Sequence, residues 1–232
     1  ARSKGYRTRS AYKLKQIQER FGIIRKGDVV LDVGCHPGGW VQVAVEEVGE
    51  EGLVIGVDLL ATSPVDGASI IIGDITEEDT ITRIGQMLGV RELNVVVSDI
   101  SPNLTGRYDT DQTISLELST QVLDAAMKFI PAGGNFVTKI FQGTGIEGLV
   151  AAARDRFSNV QRYSPKASRS ASSETYLICQ NRLSRPRGKA RGKSASEQVQ
   201  GHLSELGIVV EEESDEVKSK VGFRRVQKRE EE

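Results

Sequence analysis

Apolar residues recur at two different spacings along this chain, and the alternation between the spacings predicts its elements. In residues 9–21, Leu14, Ile17 and Phe21 fall three and four apart, the signature of one buried helix face. Gly27-Asp28 then turns into Val29-Val30-Leu31-Asp32-Val33, a short, almost continuous apolar run of the kind found in buried parallel strands. A Gly-rich loop leads into a helical stretch from about Trp40 to Val48. Strands are predicted at residues 53–57, ending at Asp58, at 69–72, ending near Asp74, and at 94–98, ending at Asp99. A fifth covers 135–138 and ends at Lys139, and two more lie near 159–163 and 174–180. Helices are predicted at 76–88, with Thr76 and Asp79 suited to a capping box, at 112–129 and near 145–157. Strands alternating with helices predict an α/β fold, a doubly wound and mostly parallel sheet with helices on both faces. In such sheets ligands bind beyond the carboxyl ends of the strands, where Asp58, Asp99 and Lys139 are expected.

The pattern changes after Leu183. Ser184 to Lys193 is rich in Arg, Lys, Gly and Pro, residues 196–206 could form a short amphipathic helix, and residues 211–232 carry charge in blocks. The expected organisation is one α/β domain at 1–183, whose first 21 residues form a basic segment and helix, followed by a largely flexible charged extension at 184–232.

Composition narrows the class. Hydrophobic residues make up 38% of the 232 and charged residues 27%, as in globular proteins. No apolar run approaches the roughly 20 residues of a membrane helix, and Ala1-Arg2-Ser3-Lys4 leads into polar sequence, so a cytoplasmic protein is expected. The net charge is −1, but its distribution is uneven. Arg2, Lys4, Arg7, Arg9, Lys13 and Lys15 crowd one end, and a second basic run spans Arg182 to Lys193 before acidic residues from Glu211 offset them. Such segments either form a nucleic-acid-binding stripe or are solvated ends. Cys35 and Cys179 make no metal-type pair and are read as reduced thiols; with only His36 and His202 besides, no metal site is expected.

The candidate chemistry begins in Asp32-Val33-Gly34-Cys35-His36-Pro37-Gly38-Gly39-Trp40, a glycine loop between the first strand and its helix. Such a loop lets a ligand approach the backbone. It lacks the G-x-G-x-x-G of dinucleotide enzymes, carrying Gly34-x-x-Pro37-Gly38 instead. Asp58 can accept two hydrogen bonds from a ribose diol, a logic shared by nicotinamide and adenosyl cofactors, and Asp74 can accept from an adenine amino group. Each acid alone could equally be a turn or a helix cap. Asp99 and Lys139 would lie side by side on neighbouring strands, either as a structural ion pair or as groups poised for proton transfer.

Taken together and in order, these stretches resemble the FtsJ/RrmJ family of RNA ribose 2′-O-methyltransferases. The matching segments are Arg9-Ser10-Ala11-Tyr12-Lys13-Leu14, Asp32 to Trp40, Val57-Asp58-Leu59-Leu60, Gly73-Asp74-Ile75 and Ser98 to Asn103. Gly133 to Gly143, Lys166 to Ser170 and Ser173-Glu174-x-Tyr176 follow, so that the resemblance covers about residues 4–182. It implies a Rossmann-like class I fold with a seven-stranded, mostly parallel sheet and S-adenosylmethionine (SAM) as cofactor. Gly34, Pro37, Gly38, Gly39, Trp40, Asp58, Asp74 and Asp99 would hold that cofactor. It also implies a Lys-Asp-Lys-Glu tetrad, which by motif match is Lys13, Asp99, Lys139 and Glu174. Where family members commonly carry two small residues before the proline, this chain has Cys35-His36; His36 is assigned no catalytic role.

The implied reaction is in-line attack of a ribose 2′-oxygen on the cofactor's methyl carbon. Lys139 receives the proton, Asp99 orients it, and Lys13 and Glu174 position the ribose. Arg7, Arg9, Lys166 and Arg169 are the candidate RNA contacts. The favoured substrate is a uridine of large-subunit (23S) ribosomal RNA, possibly within the assembled subunit, methylated by a monomer. A tRNA anticodon-loop methyltransferase, a non-catalytic ribosome-assembly factor and a nicotinamide-dependent oxidoreductase are the alternatives; the intact tetrad argues against the second and the missing G-x-G-x-x-G against the third.

Overall fold

The structure, a computed structural model, describes residues 5–101, 105–168 and 174–208. The elements follow in chain order: α1 (Ala11–Phe21), β1 (Val29–Val33), α2 (Gly39–Val48), β2 (Leu53–Asp58), β3 (Ala68–Ile72) and α3 (Glu78–Leu88). After them come β4 (Val95–Ser98), α4 (Tyr108–Phe129), β5 (Asn135–Phe141), α5 (Ile146–Arg154), β6 (Phe157–Tyr163), β7 (Glu174–Arg182) and α6 (Ala195–Glu205). One seven-stranded sheet runs in the order β3-β2-β1-β4-β5-β7-β6. The pairs from β3 through to β5 are parallel, and β7 inserts antiparallel between β5 and β6. The expected mostly parallel α/β sheet is therefore the fold.

Strand alternation sorts side chains onto the two faces. Val29, Leu31 and Val33 of β1, Val96 of β4, Phe136 and Ile140 of β5, and Leu177 and Cys179 of β7 join one core with residues of α3, α4, α5 and α6. Val30, Val54, Val95, Val97, Val137, Tyr176 and Ile178 join the other, under α1 and α2. The same parity carries Asp32, Asp58, Asp99, Lys139 and Glu174 to the α1/α2 face. Residues of that parity pack under α1 and α2 along most of each strand, and the polar ones fall toward the end of each strand that opens on the site.

Three expectations need correction. Lys139 is not at a strand end: β5 continues to Phe141, and Lys139 is held within the sheet opposite Tyr176 of β7. The capping box at Thr76 and Asp79 does not form. Asp74 Oδ1 instead accepts from the Thr76 amide and hydroxyl, a local turn that competes with helix entry, and α3 starts at Glu78 after Glu77. Third, the extension does not depart at residue 184. Leu183 N donates to Arg156 O and Arg187 N to Asp155 O, a short 3-10 turn forms at Gly188–Ala190, and α6 buries Ala195 and Val199 against the α4/α5 core. The sequence of 184–193 lacks apolar periodicity, so its attachment by main-chain hydrogen bonds leaves no hydropathy signal. The charged stretch 211–232 lies outside the described residues.

α6 is latched at its start. Ser194 and Glu197 form a reciprocal capping box, and the Asp124 carboxylate of α4 accepts from the amides of Ala195 and Ser196 and from the Ser196 hydroxyl. Asp124→Ala removes three acceptor interactions at a helix N-terminus. It should lower stability by about 1–2 kcal/mol and speed amide exchange in α6, as read by thermal melting and hydrogen–deuterium exchange; unchanged exchange there would show that apolar packing alone holds the helix.

Candidate functional site

The site forms where the α1/α2 face of the sheet meets the carboxyl ends of β1, β2 and β4. The loop after β1 is shaped by its backbone. Gly34 and Cys35 both donate to Val57 O, crossing to the end of β2. The His36–Pro37 peptide is cis, and Gly38 N donates to Cys35 O at 2.6 Å. Gly38 sits at φ +105°, a conformation that L side chains rarely adopt, and a Cβ on Gly39 would collide with the Thr8 hydroxyl. The loop thus closes against the segment before α1, and α2 begins beneath it.

That segment is fastened in turn. Tyr6 is buried and its hydroxyl donates to Glu46 Oε2 at 2.6 Å, with Lys15 completing the cluster. Arg7 donates to the carbonyls of Pro37 and Ser63 at 3.1 and 2.6 Å, and to that of Pro64. Its guanidinium therefore braces the loops after β1 and β2, a use its place in a basic run did not announce. Trp40 is buried; its indole N–H donates to Ser10 O at 2.9 Å and its ring lies 5.7 Å from that of Tyr176.

The acids line the rim. Asp58 accepts from the amides of His36 and Leu60, each at 2.8 Å, so both oxygens are fixed by the loops they join. Asp74 is committed to its own turn through Oδ1. Asp32 was quoted within the loop motif but given no role, and it is the residue that sequence reasoning missed. It is fully buried, and neither carboxylate oxygen has a hydrogen-bond partner. Burial, with the charges of Asp99 and Asp58 adding, holds its carboxyl well above the usual carboxylate range. An orphaned buried acid facing a glycine loop is the feature a bound cationic group would satisfy. The signal available in sequence was its position, a lone acid inside the first apolar strand.

The four tetrad candidates converge. Lys139, only 3% exposed, places Nζ 2.7 Å from Asp99 O, 3.2 Å from Asp99 Oδ1 and 3.9 Å from Glu174 Oε1. Lys13 reaches in from α1 and pairs with Glu174 Oε2 at 3.0 Å. The buried Tyr176 donates to Asp99 Oδ1 at 2.5 Å, and its ring lies beneath the Lys13 ammonium at 5.9 Å. Burial and the Asp99 carboxylate push the Tyr176 hydroxyl far up, so it remains a neutral donor at any ordinary pH. Tyr176 is a second member of the site to which no role was given; its buried register opposite Lys139 is visible only once β7 is known to be antiparallel. Beyond β5, Tyr108 donates to Gln142 O at 2.5 Å and Gln112 to Thr144 O at 2.5 Å, fastening the strand's exit loop to the start of α4.

Of the RNA-contact candidates, Arg9 and Lys166 are exposed on this side, and the Lys166 loop is tied to α1 by the Ala167 amide donating to Gln16. Arg169, with Pro102 and Asn103 of the matching motifs, lies outside the described residues. Cys35 and Cys179 are free and buried, and burial pushes both thiols up and out of reactive range. Among the described residues no group of three His, Cys, Asp or Glu is arranged to hold a metal ion.

The enclosed space at the glycine loop is only about 30 Å³, bounded by Thr8, Asp32, Gly34, Trp40 and Asp99 among others. That is room for one small polar group. A larger cavity of about 370 Å³ lies elsewhere, against α4 and the segment after β7. None of the four tetrad candidates lines it.

Comparison with known proteins gives the family. The FtsJ-like methyltransferase family matches residues 6–182. A protein of Halorubrum lacusprofundi named ribosomal RNA large subunit methyltransferase E is 41% identical over 218 residues, covering 93% of this chain and 76% of that protein. One of the same name from Methanothrix thermoacetophila is 46% identical over 186 residues, covering 80% and 72%. Among solved structures, a Plasmodium falciparum protein described as a ribosomal RNA methyltransferase superposes with a TM-score of 0.71 at 26% identity, over 78% of this chain and 100% of its own. With residues 6–182 matched and with relatives of this identity across most of its length, the chain belongs to the FtsJ-like methyltransferase family.

Proposed function

We propose that this methyltransferase transfers a methyl group from SAM to a ribose 2′-hydroxyl of large-subunit ribosomal RNA, at a uridine. The observation that carries the chemistry is Lys139, a buried amine held by Asp99 beside Glu174 on the rim that carries the glycine loop. The substrate rests on the relatives, which are named for the ribosomal large subunit. The cytoplasm is the compartment that fits such a substrate, and a monomer suffices for it.

The residues fit the cofactor. Asp32 offers an unpartnered carboxylate to the amino end of its methionine moiety, Gly34, Pro37, Gly38 and Gly39 let it approach the backbone, and Asp58 and Asp74 retain lone pairs for ribose and adenine. When bound, SAM supplies an electrophilic methyl group on a sulfonium.

A sugar hydroxyl becomes an effective nucleophile only as its proton leaves. Lys139 Nζ is the group placed to take it. As a neutral amine it has two N–H bonds and one lone pair. Asp99 O accepts one hydrogen at 2.7 Å and the Asp99 carboxylate lies 3.2 Å from Nζ as its ion-pair partner, so that the lone pair would be open to the 2′-hydroxyl. As the ammonium forms, the Asp99 and Glu174 carboxylates stabilise its charge. Tyr176 keeps Asp99 in place from the other side without competing for the proton, because its own hydroxyl stays protonated. Lys13, paired with Glu174, presents donors to the ribose, and positioning supplies much of the acceleration. Arg9, Lys166 and Arg169 would bind phosphates.

Lys139→Ala should reduce kcat by roughly 10³-fold or more while SAM affinity stays within about threefold. Lys139→Arg should be equally inactive, because a guanidinium cannot accept the proton. Methyl transfer near the wild-type rate in either variant would remove Lys139 from the mechanism.

Asp32 gives a separate test. Its folded carboxyl titrates above its unfolded one, so its contribution to stability is full below the usual carboxylate range and is lost as pH rises through the raised folded value. Asp32→Asn should therefore flatten the decline of apo-protein stability with rising pH and weaken SAM binding at least tenfold. Denaturant melts across pH, with calorimetric titration of SAM, measure both; unaltered SAM affinity would contradict the assigned role.

A further inference from the structure

The 370 Å³ cavity lies at the rim of the sheet opposite the transfer site. Arg182 ends β7 and exchanges backbone hydrogen bonds with Gly133 and Gly134, just before β5 begins. Glu174 and Arg182 stand at opposite ends of β7, on the order of 25 Å apart at about 3.3 Å per residue. The cavity's walls are α4 on one side and the strap of residues 183–194 on the other. The strap is closed at both ends, by Leu183 N on Arg156 O and by the Asp124 latch on α6, so the space is built into the fold.

Its charges are unbalanced. Lys128, Arg156, Arg182 and Lys193 line it, against Asp124 alone. The Asp124 carboxylate is already taken by three donors at the start of α6, and Lys128 pairs with Glu78. Arg156 is buried and well supplied with acceptors: Ala152 O, Gln198 Oε1 and Lys193 O. Arg182 is different. It is half-buried, and no acceptor among the described residues bonds its guanidinium. Burial disfavours its charge, and its positive charge acts on that of Arg156. A partly dehydrated cation beside another, without an anion, is a cost that a bound anion would relieve. Met127, Leu183 and Pro186 add apolar wall, and the volume exceeds what a bare inorganic ion needs. Arg185, Arg187 and Arg191 stand exposed along the same strap, which extends the positive surface outward from the cavity.

We propose that this cavity is a phosphate-binding subsite for the RNA strand on the rim away from the transfer site, with Arg182 as the anchoring cation and the apolar wall against the sugar or base. It rests on the reading of the protein as an RNA methyltransferase. Two phosphate contacts at opposite ends of the sheet require an RNA long enough to reach around the domain, so the subsite favours a large folded substrate over a short oligonucleotide.

The test measures binding of a labelled large-subunit RNA transcript against salt, alongside methyl transfer to it, for wild type, Arg182→Ala and Arg182→Lys, with folding checked by thermal melting. Arg182→Ala should weaken binding about five- to tenfold and make the logarithmic salt dependence shallower by about one. It should raise KM for the transcript with kcat and SAM affinity unchanged, and Arg182→Lys should restore most of the loss. RNA affinity equal to wild type in Arg182→Ala, or equal losses in Ala and Lys, overturns the subsite while the methyltransferase reading stands. A wild type that neither binds nor methylates the transcript overturns that reading and the subsite with it. Uridine 5′-monophosphate provides the second arm. If it stabilises wild type but not Arg182→Ala, while RNA affinity is the same in both, the cavity serves a free nucleotide and the RNA assignment falls.

Discussion

A lysine side chain buried in a β-sheet is tolerated only if carboxylates face it, and that constraint organises this molecule. Lys139 lies within β5, not at its end, where solvent could have hydrated it. Asp99 Oδ1 at 3.2 Å and Glu174 Oε1 at 3.9 Å face its Nζ. To place them the fold must bring the ends of β4 and β7 to β5 in a fixed register. The antiparallel insertion of β7 does this, setting Tyr176 opposite Lys139 and Glu174 opposite Phe141. The surrounding apolar core, above all Val97, Val137 and Ile178 on the same face, keeps water away from all but the rim.

The segment before α1 is the other half of the constraint. Lys13 comes from α1, and α1 is held to α2 by Trp40 on Ser10 and by the Tyr6–Glu46–Lys15 cluster. Arg7 joins the same segment to the loops after β1 and β2. The candidate cofactor loop and the tetrad are therefore parts of one braced unit, and disturbing the N-terminal segment should be felt at both. Asp32 shows the opposite economy: a buried carboxyl without partners lowers the stability of the apo protein and has a physical rationale only in a ligand.

Much of this was legible in the sequence because parallel strands are buried on both faces. Val29–Val33 reads as a strand with the bounds the structure gives it, and every sheet strand was located within a few residues. The four tetrad candidates were picked out by the order of their motifs rather than by any single residue, since an Asp and a Lys on adjacent strands could as well be a structural pair. Other features depend on three-dimensional neighbours that no local pattern encodes. Arg7 looked like one more surface cation until its guanidinium was seen among the carbonyls of Pro37, Ser63 and Pro64. Residues 184–194 looked like a flexible arm because main-chain hydrogen bonds, not apolar periodicity, attach them. The turn at Asp74 displaced the expected capping box because its carboxylate reached Thr76 first.

The central claim concerns which atom of which RNA receives the methyl group. The most direct measurement incubates the protein with isotopically labelled SAM and either unmodified large ribosomal subunits or unmodified tRNA, digests the RNA and identifies the labelled nucleoside by mass spectrometry. The account predicts label in 2′-O-methyluridine from the large subunit. Label on a base carbon or nitrogen would contradict the roles given to Lys139 and Asp99, and label confined to tRNA would contradict the substrate.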